Sequence, residues 1–153
     1  MALIQGSNFS GWYNPVEGTF FANSKKNSSA ATTVNPVIYA DDGSSDRVAI
    51  QYNTTPAIEA SVVAGGSTQA SFTFSSTYTS DNSTAIGYKI NDFAAVNNSG
   101  TVGTDTSGSL PNINAMRIGN RTIVSAQYLN GTIKRIAYYN RRITNQELQG
   151  ITS

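Results

Sequence analysis

The sequence predicts an all-β fold, a two-sheet antiparallel jelly-roll sandwich with one short C-terminal helix, and three observations lead there. Charged residues are only 12% of the 153-residue chain, roughly half the usual share, and Ser, Thr, Asn and Gly take their place. Turn signals recur at short intervals along the whole length, separated by short runs with β-branched and aromatic residues. Helical periodicity is almost absent before the tail.

The first runs are residues 18–22 and 36–40. Asp41-Asp42-Gly43-Ser44 follows the second, and Asp-Gly suits the left-handed positions of a tight hairpin. Residues 47–52 return as its partner, with Val48 and Ile50 on one face by strict alternation. A second hairpin joins residues 58–63 to 68–74 through Ala64-Gly65-Gly66-Ser67, whose glycines carry no Cβ penalty at the tip. A third group runs from 85–89 through 93–96, over the turn 97–100, into 101–104. A polar loop, 105–114, ends in a short strand at 115–119. Residues 123–139 hold the last strands, with Asn130-Gly131 as the turn before 132–139. Apolar side chains fall on both faces of that final run, which predicts a central strand or one covered on both sides.

The tail carries the one helix signal. Thr144-Asn145-Gln146-Glu147 is a capping box with Thr144 as N-cap, and Ile143 and Leu148 hold the staple positions around it. Gly150 is the expected stop, which leaves a helix of about a turn and a half.

No repeat, heptad run or low-complexity linker divides the chain, so residues 1–153 read as one domain with 1–5 as a flexible lead. A chain of this length buries enough apolar surface to fold without disulfides or metals. Ten basic residues against nine acidic leave a net charge of +1, which offers a phosphate backbone no electrostatic footprint and argues against a nucleic-acid partner. No apolar run approaches the ~18 residues that membrane insertion needs. With no Cys and no His, thiolate and imidazole metal sites, Ser-His-Asp triads and Cys-His dyads are all excluded.

The segment from Tyr128-Leu129-Asn130-Gly131-Thr132 through Tyr138-Tyr139 to Glu147-Leu148 resembles the closing strand and capping helix of concanavalin A-like lectin/glucanase (laminin G-type) jelly rolls. It is most similar to versions carried by bacteriophage head, tail and fibre proteins. The opening, Gly6-Ser7-Asn8-Phe9-Ser10-Gly11-Trp12-Tyr13-Asn14, resembles the first strand entry of those domains, as does the Ala64–Ala70 hairpin. The resemblance implies a domain exposed on a phage virion, beside other virion structural subunits and as a homo-oligomer such as a trimer. It specifies fold well and ligand poorly, because the same sandwich serves lectins, glycosidases and capsid parts.

The glucanases of that superfamily place acid and nucleophile on a Glu-x-Asp-x-Glu strand. No such strand occurs here, and the expectation is a protein that is not an enzyme. Trp12, Tyr13, Asn14, Tyr88 and Tyr128 form the candidate ligand-binding set: aromatic rings stack on the apolar face of a sugar while amides fix its hydroxyls. The competing reading puts Trp12 at one end of the core. Asp41, Asp42 and Asp46 are oxygen ligands of the kind calcium takes, and they are equally ordinary turn residues. Lys134, Arg135, Arg141 and Arg142, with Arg117 and Arg121, either dock an acidic polysaccharide or neighbouring subunit, or guard an exposed strand edge. Three functions follow in order: a virion-associated module binding a surface glycan, a capsid-cementing or fibre-trimerising protein, and a polysaccharide depolymerase.

Overall fold

The computed structural model describes residues 2–121 and 127–153, and among these it places eleven strands and two short helices. In order they are β1 (Ala2–Gln5), α1 (Ser7–Ser10), β2 (Glu17–Lys26), β3 (Asn35–Asp41), β4 (Arg47–Tyr52), β5 (Ala57–Ala64), β6 (Ser67–Ser75), β7 (Asn82–Lys89), β8 (Phe93–Asn97), β9 (Gly103–Asp105), β10 (Ala115–Ile118), β11 (Gly131–Tyr139) and α2 (Asn145–Ile151). One sheet has the order β1-β10-β3-β4-β5-β6, the other β11-β2-β7-β8-β9, and every pairing is antiparallel. Chain neighbours therefore pair in the hairpins, while β10 and β11 return from afar to close each sheet, the connectivity of a jelly roll.

Alternation decides which side chains meet between the sheets. Ile38, Val48, Ile50, Tyr52, Ile58 and Val62 of the six-stranded sheet pack against Phe20, Ile86, Tyr88 and Phe93 of the five-stranded one, all buried. A second, smaller core lies on the opposite face of the five-stranded sheet. There Phe21, Ala85, Ala94 and Val96 meet Ile143 and Leu148, so α2 seals that face. At the β5–β6 tip Gly65 and Gly66 both take positive φ, 58° and 76°, as the paired glycines require.

The capping box forms as expected: the Glu147 amide donates to Thr144 Oγ1 at 3.2 Å and the Thr144 amide to Glu147 Oε2 at 2.7 Å. The helix does not stop at Gly150, however. It runs through to Ile151, because the Thr152 hydroxyl donates to the Leu148 carbonyl at 2.9 Å and serves the last turn in place of a glycine.

Two further expectations change, and a third resolves to one of its alternatives. Ala2–Gln5 is not a loose lead but an edge strand in register with Ala115–Ile118. Residues 6–14 do not enter as a strand. They wind through α1, because the i, i+4 spacing of Phe9 and Tyr13 points both rings into the core, stacked at 4.6 Å. β11 lies at the edge of its sheet, so of the two alternatives expected for it the strand covered on both sides is the one that holds. Its two-sided apolar pattern comes from coverage: Ile133, Ile136 and Tyr138 pack on the main core while Ala137 and Tyr139 pack on the second. The expected strand residues 123–126 lie outside the described residues.

Candidate functional site

Four of the five expected ligand-binding residues do come together, at the end of the sandwich where β2 begins. Trp12 meets Tyr138 edge-on at 4.9 Å, and Tyr13 stacks toward Tyr88 with 6.1 Å between centroids. Tyr88 Oη donates to the Asn14 carbonyl at 2.8 Å, and the Asn14 amide donates to Tyr138 Oη at 2.9 Å. Trp12 Nε1 is used by the Asn8 carbonyl at 2.6 Å. Tyr13 and Tyr88 form a plug here, while Trp12 is half-buried and lines a recess of about 450 Å³ with Tyr138, Tyr139, Asn140 and Arg141. Tyr88 is fully buried and Tyr13 is 8% exposed, so neither offers an open face, and burial raises both phenols, Tyr13 to about 12. A recess of about 600 Å³ adjoins the plug, floored by Phe9, Tyr13 and Ile113.

The three aspartates of the β3–β4 turn are occupied by the backbone. Asp42 Oδ1 accepts from the amides of Ser44 and Asp46, at 2.8 and 3.1 Å, which holds its carboxyl below the usual range. Asp46 clamps two other loops, accepting from Gly65 N at 2.6 Å and Asn112 N at 2.8 Å. Asp41 accepts from Gly43 N at 2.7 Å and lies 3.6 Å from the Arg117 guanidinium. Burial raises its pKa, with Arg117 pulling the other way. Among the described residues no three acidic side chains converge as a metal-holding group, and Asp41 and Asp42 cap Asx-type turns.

Tyr128 stands apart, at the opposite end of β2. That strand has 10 residues, which places the two ends roughly 30 Å apart. The Tyr128 ring is 47% exposed, and among the described aromatic side chains it alone falls in the exposed class. Two recesses flank it. One, of about 390 Å³, is lined by Lys26, Ser28, Thr32, Asn35 and Asn130 among others. The other, of about 450 Å³, is lined by Asn27, Ile118, Leu129 and Ile133 with neighbouring backbone.

The ledge is held from below. Asn35 Nδ2 donates to the Tyr128 carbonyl at 2.7 Å, and Asn35 Oδ1 accepts from Lys26 Nζ at 2.7 Å. Lys26 Nζ also donates to the Ala30 carbonyl at 3.0 Å and sits 4.4 Å from the centre of the Tyr78 ring. Tyr78 in turn donates to the carbonyls of Asn53 and Thr55. On the other side the Leu129 amide donates to the Gly119 carbonyl at 2.9 Å, and Asn27 N to the Asn130 carbonyl at 3.0 Å. The backbone on which the ring stands is thus held by hydrogen bonds on both sides, which limits the ordering a ligand would have to impose on it.

The basic residues near the C-terminus are engaged within the chain. Arg141 makes a two-pronged pair with Glu147, at 2.6 and 3.1 Å. Arg142 reaches Asp92 at 3.1 Å, Lys134 pairs with Asp81, and Arg135 lies over the Phe21 ring at 5.4 Å. Arg121 covers the Tyr39 ring at 5.1 Å. Sequence reasoning missed Lys26, Asn35 and Asn130. No motif marks them, because their meeting depends on the Gly131↔Lys26 register of β11 on β2.

No protein-family model matches the sequence, and no curated protein matches it either. Solved structures do share its fold. The CBM40 of the Ruminococcus gnavus IT-sialidase superposes with a TM-score of 0.76 at 13% identity, over 99% of this chain and 92% of that one. Botulinum neurotoxin type C gives 0.74 at 10% identity, over 98% of this chain and 38% of that one. The leech intramolecular trans-sialidase gives 0.73 at 14% identity, over 99% and 25%. At such identities the likeness defines a fold class: a lectin-like jelly-roll sandwich. The CBM40 likeness spans nearly the whole of both chains.

Proposed function

We propose that the protein is a carbohydrate-binding module that takes a surface glycan on the Tyr128 ledge. The observation that carries this reading is an exposed tyrosine, its backbone held by a buried polar network, between a recess lined with amide and hydroxyl groups and a second, more apolar one. A pyranose laid on such a ring buries its apolar face while its hydroxyls find the flanking Asn and Ser groups. The recess beside Phe9 and Tyr13 is the weaker candidate because its rings are presented edge-on or buried. Among the structures of like fold, the R. gnavus CBM40 is bound to α2,3 and α2,6 sialyllactose, and the neurotoxin type C structure is described by its interaction with two ganglioside molecules.

The module is read as non-catalytic. Each of the nine carboxylates meets a donor: Glu17, Asp41, Asp42, Asp46, Asp105 and Glu147 take backbone amides, and Glu59, Asp81 and Asp92 take Asn53, Lys134 and Arg142. None is left as an uncommitted acid or base for glycoside cleavage. The phage resemblance adds a setting, in which the module is displayed on a virion as part of a homo-oligomer. Among the described residues no helix is long and apolar enough to cross a membrane.

A glycan array followed by calorimetry tests the reading. The intact protein is expected to retain at least one glycan class, and Tyr128→Ala to weaken that binding by about 10-fold or more, in line with the worth of one aromatic stack, while leaving the melting temperature in place. Equal binding by the variant would refute the ledge.

A further inference from the structure

The ledge contains a cation that its own chain does not neutralise. Lys26 is 3% exposed, yet its ammonium has only neutral oxygens around it: the Ala30 carbonyl at 3.0 Å and the Asn35 amide oxygen at 2.7 Å. Other described cations have acid partners, as Lys89 with Glu17, Lys134 with Asp81, Arg141 with Glu147 and Arg142 with Asp92, while Arg121 and Arg135 lie over aromatic rings. Among the described residues no carboxylate reaches Lys26. An ammonium has three N–H donors, and two are committed to those oxygens.

Burying a charge without a counter-charge is unfavourable, and desolvation accordingly draws the Lys26 pKa below that of a free lysine. Two carbonyl-type acceptors and the Tyr78 ring at 4.4 Å offset part of that cost. The arrangement nevertheless leaves positive potential under one particular place. Lys26, Ala30 and Asn35 all line the recess of about 390 Å³ beside Tyr128, whose other described walls, Ser28, Thr32, Thr33 and Asn130, carry hydroxyls and an amide but no acid. A low-dielectric wall with one uncompensated cation focuses its field into the opening.

We propose that the recess beside Tyr128 takes an acidic sugar, one bearing a carboxylate, with Lys26 as the counter-charge and the Tyr128 ring as the stacking face. This rests on the reading of the ledge as a glycan site and narrows its ligand class. The carboxylate completes the third donor of the ammonium with a charge-assisted hydrogen bond, and the Asn and Ser groups of the rim take hydroxyls. Selectivity follows because a neutral analogue leaves the cation as it stands in the free protein.

The test compares matched glycans on the whole protein: uronic-acid- and sialic-acid-terminated oligosaccharides against the same oligosaccharides with the carboxylate reduced to an alcohol or methyl-esterified. The wild type is expected to hold the carboxylate forms roughly 10-fold or more tightly than the neutral forms, the scale of one hydrogen bond to a charged group. Lys26→Met is expected to bring that ratio to about one; because Lys26 also braces Asn35 beneath Tyr128, both glycan forms can weaken together, and the ratio between them is the readout. Because the buried substitution can cost folding, a second measurement uses the unaltered chain. In carbon-detected NMR of ¹³C-labelled lysine, the Lys26 side-chain signal should shift on adding sodium glucuronate or sialyllactose and stay in place with lactose. A ratio near one in the wild type, or acid preference that survives in a folded Lys26→Met, overturns the inference. If neutral glycans still bind and Tyr128→Ala still abolishes it, the ledge stands and only the acidic preference falls.

Discussion

At Gly18 a side chain has nowhere to go: a Cβ built there would collide with the Tyr88 hydroxyl and lie 2.6 Å from the Tyr138 hydroxyl. The glycine is what lets the two tyrosines exchange a hydrogen bond at 2.9 Å beside the β2 backbone. Gly18→Ala is therefore expected to destabilise the fold by about 1–3 kcal/mol through overpacking, read by urea unfolding, and to leave glycan binding at the distant Tyr128 intact in the folded fraction. A loss below about 0.5 kcal/mol would show that the tyrosine pair gives way freely. The two aromatic ends of the molecule differ in how legible they were. Tyr13 and Tyr88 were readable as a group worth noting, but the burial of Tyr88 was not, since Tyr138 arrives from a distant segment to cover it. Tyr128 was readable as an aromatic face suited to a sugar, but its exposure was not. Lys26 was silent, one lysine among several until β11 and the loop after β2 close around it.

α2 shows how a local sequence signal becomes a tertiary contact. Its capping box fixes where the helix starts, and its apolar side then lands on Phe21, Ala85 and Val96, outside the main core. The two contributions should separate on mutation. Thr144→Ala removes one cap and is expected to cost about 1 kcal/mol, whereas Leu148→Ala, at a fully buried position, is expected to cost about 2–5 kcal/mol. Denaturant titration of both checks the order, and a larger loss for Thr144→Ala would mean that the cap and not the packing anchors the helix. Strand positions were legible for the same local reason. The hairpins marked by Asp42-Gly43, Gly65-Gly66 and the Asn97–Gly100 turn are present, because turn chemistry acts within four residues. Edge or centre was not legible for β11. Its apolar residues on both faces record which layers cover it, whereas its place in the sheet records a pairing with β2 more than a hundred residues earlier.

For the molecule as a whole, the absence of histidine leaves the folded state with its main titrations well away from neutrality. On the alkaline side six tyrosines, 13, 39, 52, 78, 88 and 138, are all raised, each chiefly by burial. A phenol whose folded pKa lies above its unfolded value of about 10 contributes stability that is complete below that pH and is lost as pH rises through the folded value. Lys26, with its pKa lowered, acts in the opposite sense, one group against six. On the acid side Glu147, held down to about 2 by Arg141 and the Thr144 cap, contributes stability that is lost as pH falls from about 4 toward 2. Thermal melts should therefore show a plateau through neutrality, a fall above pH 10 and a gentler fall below pH 4. A melting temperature that held steady from pH 10 to 12 would contradict the burial of the tyrosine cluster.

The sandwich carries an aromatic plug around Tyr13 at one end of β2 and the proposed binding ledge around Tyr128 at the other. Amide chemical-shift mapping with a glycan retained on the array tests that division most directly. The predicted result is a set of shifts confined to Lys26, Asn27, Asn35, Tyr128 and Asn130 and their neighbours, with Trp12, Tyr13 and Asn14 unmoved. Shifts centred instead on residues 9–15, or spread over neither end, would contradict the ledge as the site of glycan binding.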